Sequence, residues 1–251
     1  MMRELQHQIR LFWLAWDKHR YSFLFYTLSF TLIAFPMLAT LKYEQTLLIG
    51  FVAINLMVAL GGLKSRHLSH LMLLISIILV GVRIVAGAID LHAIVGLTTV
   101  VLVALGFFAC IDTVRVAMTS SKVSSELLYA ALSVYMLLGI LFGIIHYSIG
   151  LEWRDAYSLP AGELLSLRTS IYFSFVTQTT LGYGDVLPRS ELARGLTIVQ
   201  GITGQLYLAV MVARLVGLYA SNASINDQRG LNEALVEPPK YPPQSVRLPN
   251  P

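Results

Sequence analysis

The sequence has few charged residues and a single cysteine, and both scarcities narrow the kind of protein that it encodes. Only 13% of its 251 residues are charged, whereas 56% are hydrophobic, a balance far from that of an average soluble domain. The lone cysteine, Cys110, excludes a disulfide within the chain. We therefore predict an integral membrane protein, whose net charge of +4 reflects cytoplasmic loops near anionic lipid rather than nucleic-acid binding.

Two further patterns are missing. No small-residue cleavage site follows a short apolar core near the N-terminus, so we expect no cleavable signal peptide. No His-x-x-x-His or Gly-x-Ser-x-Gly pattern occurs, and the polar residues Asp112 and His146 lie near span ends without evident convergence. We therefore expect no enzyme activity and no cofactor.

Six apolar segments are about as long as, or longer than, the roughly 20 residues that a helix needs to cross a bilayer. They lie at residues 21–40, 46–63, 68–87, 91–111, 127–149 and 191–220. Residues 1–20 form a cytoplasmic interfacial segment, which is either a helix lying among the headgroups or an extension of the first span. Residues 222–251 are polar and then rich in proline, which predicts a disordered cytoplasmic tail.

The basic residues of the loops predict the orientation of these spans. Lys42 stands almost alone between the first two spans. Basic residues recur before span one, between spans two and three, between spans four and five, and after span six: Arg3, Arg10, Lys18, Arg20, Lys64, Arg66, Arg115, Lys122, Arg229, Lys240 and Arg247. Because cytoplasmic loops carry the excess of Lys and Arg, both termini are predicted to be cytoplasmic, and the connection between the last two spans faces outward.

That connection contains a glycine-rich loop, residues 179–185, with the sequence Thr-Thr-Leu-Gly-Tyr-Gly-Asp. Consecutive backbone carbonyls can replace the water around a cation if they point the same way, and glycine tolerates the positive φ that such a path needs. Gly182 and Gly184 alternate with Leu181 and Tyr183, whose side chains can pack away from the path. Thr180 can add a hydroxyl oxygen at the inner end, so the loop is a candidate cation site.

Residues 180–185 resemble the potassium-channel signature, with Leu181 where valine is usual. The resemblance implies an all-α membrane protein with six transmembrane helices, a re-entrant pore helix at 163–179 and a selectivity-filter loop. It implies a homotetramer among membrane lipids, since one chain supplies one filter strand. The permeant ion would be K⁺, held at Thr180, Leu181, Gly182 and Tyr183, in a multi-pass protein of the plasma or inner membrane.

The resemblance also divides the chain and assigns supporting roles. Residues 21–123 correspond to a four-helix sensor-like domain and residues 124–221 to the pore domain. Asp185 lies at the outer mouth, and four residues support the filter: Thr179, Tyr172, Phe173 and Val176. The two aromatic residues either form a cuff against Tyr183 or only pack the helix. Val176 stands where some relatives have a buried glutamate.

In the last span, Gly201 and Gly204 indicate either a gating hinge or close packing of helices through small residues. Helical spacing places four residues on one face, where they are predicted to line an inner cavity: Ile202, Gln205, Ala209 and Ala213. Arg214 follows near the cytoplasmic end and is interpreted as a snorkelling interface residue.

The fourth span contains no Arg or Lys, although voltage sensing requires charges that cross the membrane field. Arg83 lies in the third span, where Asp90 or a lipid headgroup could neutralise it. We therefore expect a potassium-selective channel with weak or no voltage dependence. Two alternatives remain open: a cation channel with relaxed K⁺/Na⁺ selectivity, and a non-conducting regulatory membrane protein. A transporter subunit is disfavoured because only one filter segment is present.

Overall fold

A computed structural model describes residues 19–34, 37, 44–61, 66–89, 91–120, 124–160 and 165–236. These residues are almost entirely helical. The helices are α1 (19–34), α2 (Glu44–Gly61), α3 (Arg66–Ala88), α4 (His92–Thr119), α5 (Ser125–Glu152), α6 (Leu167–Gln178) and α7 (Glu191–Val236). A 3₁₀ turn, Arg154–Ala156, leads into β1 (Tyr157–Ser158), which pairs antiparallel with β2 (Leu187–Pro188).

Four of the described helices are long and apolar enough to cross a membrane. They are Ser69–Gly87, His92–Thr119, Ser125–Glu152 and Glu191–Ser221, and they coincide with the third to sixth predicted spans. The prediction of an all-α membrane protein is thus confirmed. The count of six spans stays a prediction, because the described apolar helix of α2, Gly50–Gly61, is shorter and the first predicted span runs on from α1 into residues outside the described ranges.

Helix α5 is the central helix of the chain. In the single chain, 61% of its most apolar stretch is buried, against 11% to 22% for the other three spans. Leu28 of α1, Leu60 of α2 and Ala109 of α4 belong with Ile140 of α5 to the main buried cluster. Because lipid tails are as apolar as leucine, close van der Waals packing rather than escape from water holds such helices together.

Two predicted boundaries need correction. The pore helix begins at Leu167 rather than at 163, because Ser166 caps it by accepting a hydrogen bond from the Thr169 amide at 3.1 Å. The last helix continues through Val236, so residues 222–236 are helical and not disordered as predicted. Loss of hydropathy marks the end of the lipid-facing stretch and not of the helix, which stops before the first proline at 238. The rest of the predicted tail, and residues 1–18, lie outside the described ranges.

Candidate functional site

Helix α6 lies directly on α5 because two glycines leave room for it. A Cβ atom at Gly139 would lie 2.5 Å from the Phe175 ring, and one at Gly143 would lie 2.8 Å from the backbone Cα of Ile171. The Ser174 hydroxyl then donates to the Gly139 carbonyl at 2.6 Å. The Gly-x-x-x-Gly spacing is a sequence signal for close helix approach, and our sequence interpretation missed it.

The loop after α6 turns its amides toward the helix and its carbonyls away from it. The Thr180 amide donates to the Thr177 carbonyl at 3.1 Å, and the amides of Leu181 and Gly182 donate to the Val176 carbonyl at 3.0 and 3.4 Å. In a trans peptide the C=O group points opposite to the N–H group. The carbonyl oxygens of Thr179, Thr180 and Leu181 are therefore directed away from α6.

Left-handed residues alternate along this loop. φ is +61° at Thr180, +57° at Gly182 and +79° at Gly184, and these are the only described residues that the backbone places at positive φ. Glycine adopts this conformation without a steric penalty, as predicted for Gly182 and Gly184. Thr180 adopts it as well, at a cost of about 1–2 kcal/mol, which the sequence did not reveal.

The side chains beside the loop divide into two groups. Tyr172 stacks on Tyr183 with ring centroids 6.5 Å apart and 8° between the planes, and its hydroxyl donates to Asp185 Oδ2 at 2.8 Å. This bond to a carboxylate raises the pKa of the Tyr172 phenol, so it stays a donor at neutral pH. Phe173 instead packs against His146, 4.9 Å between ring centroids. Tyr172 thus takes the predicted place against Tyr183, while the Phe173 ring is buried against α5.

The remaining predicted supports act through the backbone or at the edge of the loop. Val176 is buried, and its carbonyl receives the two loop amides described above. The Thr179 hydroxyl donates to the Phe175 carbonyl at 2.6 Å, just after the last residue of α6. Asp185 Oδ1 accepts from the Val186 amide at 3.1 Å. Residues 179–185 are all exposed in the single chain, with Leu181 at 59% and Tyr183 at 67%.

Helix α7 presents opposite faces to the protein and away from it. Gln200, Gly204 and Met211 are buried, whereas the predicted cavity residues Ile202, Ala209 and Ala213 are exposed on the opposite face. Gln205 is exposed as well, but its Nε2 donates to the Gln178 carbonyl at the end of α6. A Cβ at Gly204 would lie 2.8 Å from Gln178 Cγ, while nothing lies within 4 Å of one at Gly201. Gly204 therefore allows close packing against the end of α6, and a hinge at Gly201 or Gly204 stays a prediction.

Comparison with known proteins finds a family match for the part of the chain that contains the loop. Residues 134–220, which include α6, the loop and most of the membrane-crossing part of α7, match the family described as an ion channel. This segment is therefore similar to the ion-channel family. The resemblance drawn from the loop sequence is thereby confirmed for the ion-channel segment, residues 134–220.

The relatives that match are named as potassium channels. Two-pore potassium channel 4 of Arabidopsis thaliana is 35% identical over 98 residues, 39% of this chain and 32% of that protein. Probable potassium channel protein 2 of Methanocaldococcus jannaschii is 38% identical over 72 residues, 28% of this chain and 21% of that protein. Voltage-gated potassium channel Kch of Escherichia coli is 34% identical over 84 residues, 32% of this chain and 20% of that protein. The chain thus spans a third or less of the length of each relative.

A buried chain of hydrogen bonds crosses the ion-channel segment behind the loop. The Tyr157 hydroxyl lies 2.6 Å from His146 Nδ1, and His146 Nε2 lies 2.8 Å from Gln200 Oε1. Gln200 Nε2 reaches the Ser174 carbonyl at 2.9 Å and the Ser174 hydroxyl oxygen at 2.6 Å. Helices α5, α6 and α7 and strand β1 therefore share one network.

The Ser174 carbonyl sets the direction of two bonds in this network. It can only accept, so Gln200 Nε2 donates and Gln200 Oε1 accepts from His146 Nε2–H. Complete burial of His146 disfavours a charged imidazolium, so the ring is the neutral Nε2–H tautomer and its Nδ1 accepts from the Tyr157 hydroxyl. His146 and Gln200 are polar residues inside apolar spans, a pattern that often marks a functional position. The sequence does not indicate that the two side chains, 54 positions apart, meet.

The cytoplasmic end of α7 is tied to the connection between α4 and α5. Arg214 Nη2 donates to the Ser120 carbonyl at 2.8 Å, so the side chain turns into the protein instead of snorkelling outward as predicted. The guanidinium thus satisfies a backbone acceptor left over at the end of α4. Through this bond the first four helices contact the inner helix of the ion-channel segment.

The α5–α6 contact makes a stability prediction. Replacing Gly143 with alanine is expected to lower the free energy of unfolding by about 1–3 kcal/mol, because the added methyl meets backbone that cannot rotate away. Gly96→Ala is the matched control, since Gly96 lies in the apolar helix α4 with nothing within 4 Å. Unfolding of the purified protein in mixed micelles measures both. Equal stability of the two variants would contradict the packing described here.

Proposed function

We propose that the chain forms a tetrameric, potassium-selective channel in the cell membrane. The observation that carries the proposal is the loop backbone, whose carbonyls turn away from α6 while left-handed residues alternate along it. Four such strands around an axis would stack rings of oxygens that replace the hydration shell of K⁺. Thr180, Leu181, Gly182 and Tyr183 would bind the ion, Asp185 would attract cations at the outer mouth, and both termini would be cytoplasmic.

The exposed surfaces of the single chain support assembly. The filter loop and one long face of α7 are both uncovered, including Ile198, Leu206 and Val210. An exposed polar loop cannot lie against hydrocarbon, because its backbone groups would have no partners there. Four-fold association would place the loop around a water-filled axis and cover the side of α7 next to it.

The C-terminal end of α6 fits a role in holding the ion. Helix C-termini carry partial negative charge, and α6 ends beside the loop at Gln178. The Gln178 carbonyl accepts from the Tyr135 hydroxyl at 3.2 Å and from Gln205 Nε2 at 3.3 Å, which fixes this end against α5 and α7. Four such ends would stabilise a cation on the axis below the filter.

Flux measurements on the full chain in liposomes test the proposal. We expect a K⁺ gradient to drive flux that barium blocks, and the reversal potential in mixed K⁺ and Na⁺ to follow K⁺. A reversal potential near zero would instead favour the relaxed-selectivity alternative, for which the bulkier Leu181 is the reason. Absence of flux from well-folded tetramers would favour the non-conducting alternative and overturn the proposal.

Voltage dependence is expected to be weak. Helix α4 contains no Arg or Lys before Arg115. It therefore lacks the row of Arg or Lys charges that would cross the membrane field, each contributing about 2.3 kcal/mol per 100 mV. Steady-state conductance should therefore change little between −100 and +100 mV, with an effective charge of about one or less. Current recordings in planar bilayers measure this, and a steep curve with several effective charges would refute it.

A further inference from the structure

A crevice separates α2, α3 and α4 from the ion-channel segment. Its walls are mainly apolar, formed by side chains such as Leu56, Leu102 and Leu141, and three polar residues complete the lining: Arg83, Thr99 and Tyr147. Its volume is about 60 Å³, several times the roughly 10–15 Å³ that one water molecule requires. An apolar cavity with a few convergent polar groups has the usual character of a ligand site.

The Arg83 guanidinium is only partly satisfied by the residues around it. Nη1 donates to the Val95 carbonyl at 2.9 Å and to the Thr99 hydroxyl oxygen, and both acceptors are neutral. Within the described ranges, no carboxylate forms an ion pair with Arg83, and its Nε and Nη2 donors have no acceptor. A cation inside a membrane is costly unless an anion or dipoles compensate it, so this site favours an anionic group.

The position of Arg83 suits a lipid headgroup. It lies five residues before the end of α3 at Ala88. At about 1.5 Å per residue, this places it roughly 7–8 Å along the helix axis from that end. Charged side chains at this depth reach the boundary between headgroups and acyl chains. Tyr147 lines the same crevice and has a phenol hydroxyl that bonds to no described residue, so it offers a second donor beside the cation.

We propose that this crevice binds the anionic headgroup of an acyl-chain amphiphile, either a phospholipid phosphate or a fatty-acid carboxylate. Arg83 and Tyr147 hold the headgroup, and the apolar walls hold the start of the acyl chain. Leu167, the first residue of α6, also lines the crevice, so a lipid bound there would contact the pore helix. The binding claim stands by itself, whereas an effect on K⁺ flux rests on the proposed function.

Binding is tested on the full chain in phosphatidylcholine vesicles that contain either phosphatidylglycerol or oleate. A photoactivatable analogue of each anionic lipid, with its reactive group in the acyl chain, is cross-linked, and the labelled peptides are identified. We expect labelling of α5 near Leu141, reduced about tenfold by Arg83→Gln, the effect of losing a charge-assisted hydrogen bond. Arg83→Lys should keep most of the labelling. Arg115→Gln, which removes an exposed charge at the other end of α4, should leave it unchanged.

The outcomes distinguish a phosphate from a carboxylate as the bound anion. They also distinguish failure of the lipid site from failure of the proposed channel function. Preference for phosphatidylglycerol identifies a phosphate, and preference for oleate a carboxylate; either supports the site. If Asp90 neutralises Arg83, the native chain will show no anionic preference and Asp90→Asn will create one, which overturns the proposal. Equal labelling of Arg83→Gln and Arg115→Gln also overturns it. Loss of flux in every vesicle with labelling intact would refute the proposed function and leave the lipid site standing.

Discussion

Replacing Gly182 with alanine is expected to abolish potassium flux while leaving the helices intact. Gly182 has φ of +57° with open space where a Cβ would lie, so the alanine acts through the backbone and not through a clash. The left-handed conformation costs an L-residue about 1–2 kcal/mol, which four subunits multiply to about 4–8 kcal/mol. Reorientation of the Gly182 peptide units is then favoured, and flux should fall at least about a hundredfold.

Gly81→Ala is the control for this experiment. Gly81 is an α3 glycine with no neighbour within 4 Å of a Cβ and no positive φ, so its replacement should keep normal flux. Both variants are measured by K⁺ flux in liposomes, with circular dichroism to verify helix content. A Gly182→Ala protein that conducts as well as Gly81→Ala would show that the loop conformation is not needed for transport.

The second large effect is expected from Gln200→Leu. This change removes the acceptor of His146 Nε2–H and one donor to Ser174, whose hydroxyl keeps its bond to the Gly139 carbonyl. A buried polar group left unpaired costs about 1–3 kcal/mol, so the free energy of unfolding should fall by about that amount. Because Ser174 lies on the pore helix, we also expect the ratio of K⁺ to Na⁺ flux to fall, a result that loss of stability alone would not produce.

A double-mutant cycle isolates the contact between the two side chains. His146→Leu combined with Gln200→Leu should cost less than the two single changes added together, by about 1–2 kcal/mol, since both partners are then apolar. Thr203→Val is the control on the same helix, because the Thr203 hydroxyl bonds only within its own helix, to the Val199 carbonyl. The network would be contradicted if the losses in free energy of unfolding were additive, or if Gln200→Leu were no less stable than Thr203→Val.

Local signals in the sequence account for the parts that were predicted well. The long apolar runs located the last four membrane helices, since composition alone decides whether a helix can lie in lipid. The alternation at Gly182 and Gly184 indicated a backbone path that only glycine adopts freely. The left-handed Thr180 was not foreseen, because its conformation is imposed by hydrogen bonds from the loop to α6.

Non-local contacts account for what was missed. His146 and Gln200 come from different spans, and nothing in either span indicates that their side chains meet. Similarly, Phe173 neighbours Tyr172 in sequence, but successive residues of a helix point about 100° apart, so the two rings reach different surroundings. The extension of α7 to Val236 was missed because hydropathy reports contact with lipid and not helix length.

The central claim concerns main-chain oxygens, so the most direct test is to locate the ion. Crystals of the full-length protein grown in thallium, a K⁺ substitute with strong anomalous scattering, would give the ion positions independently of the protein density. The account predicts a single file of peaks on a four-fold axis, each between rings of carbonyl oxygens from residues 180–183. Peaks held by side chains, or an axis without ions in a chain that is not a tetramer, would contradict it.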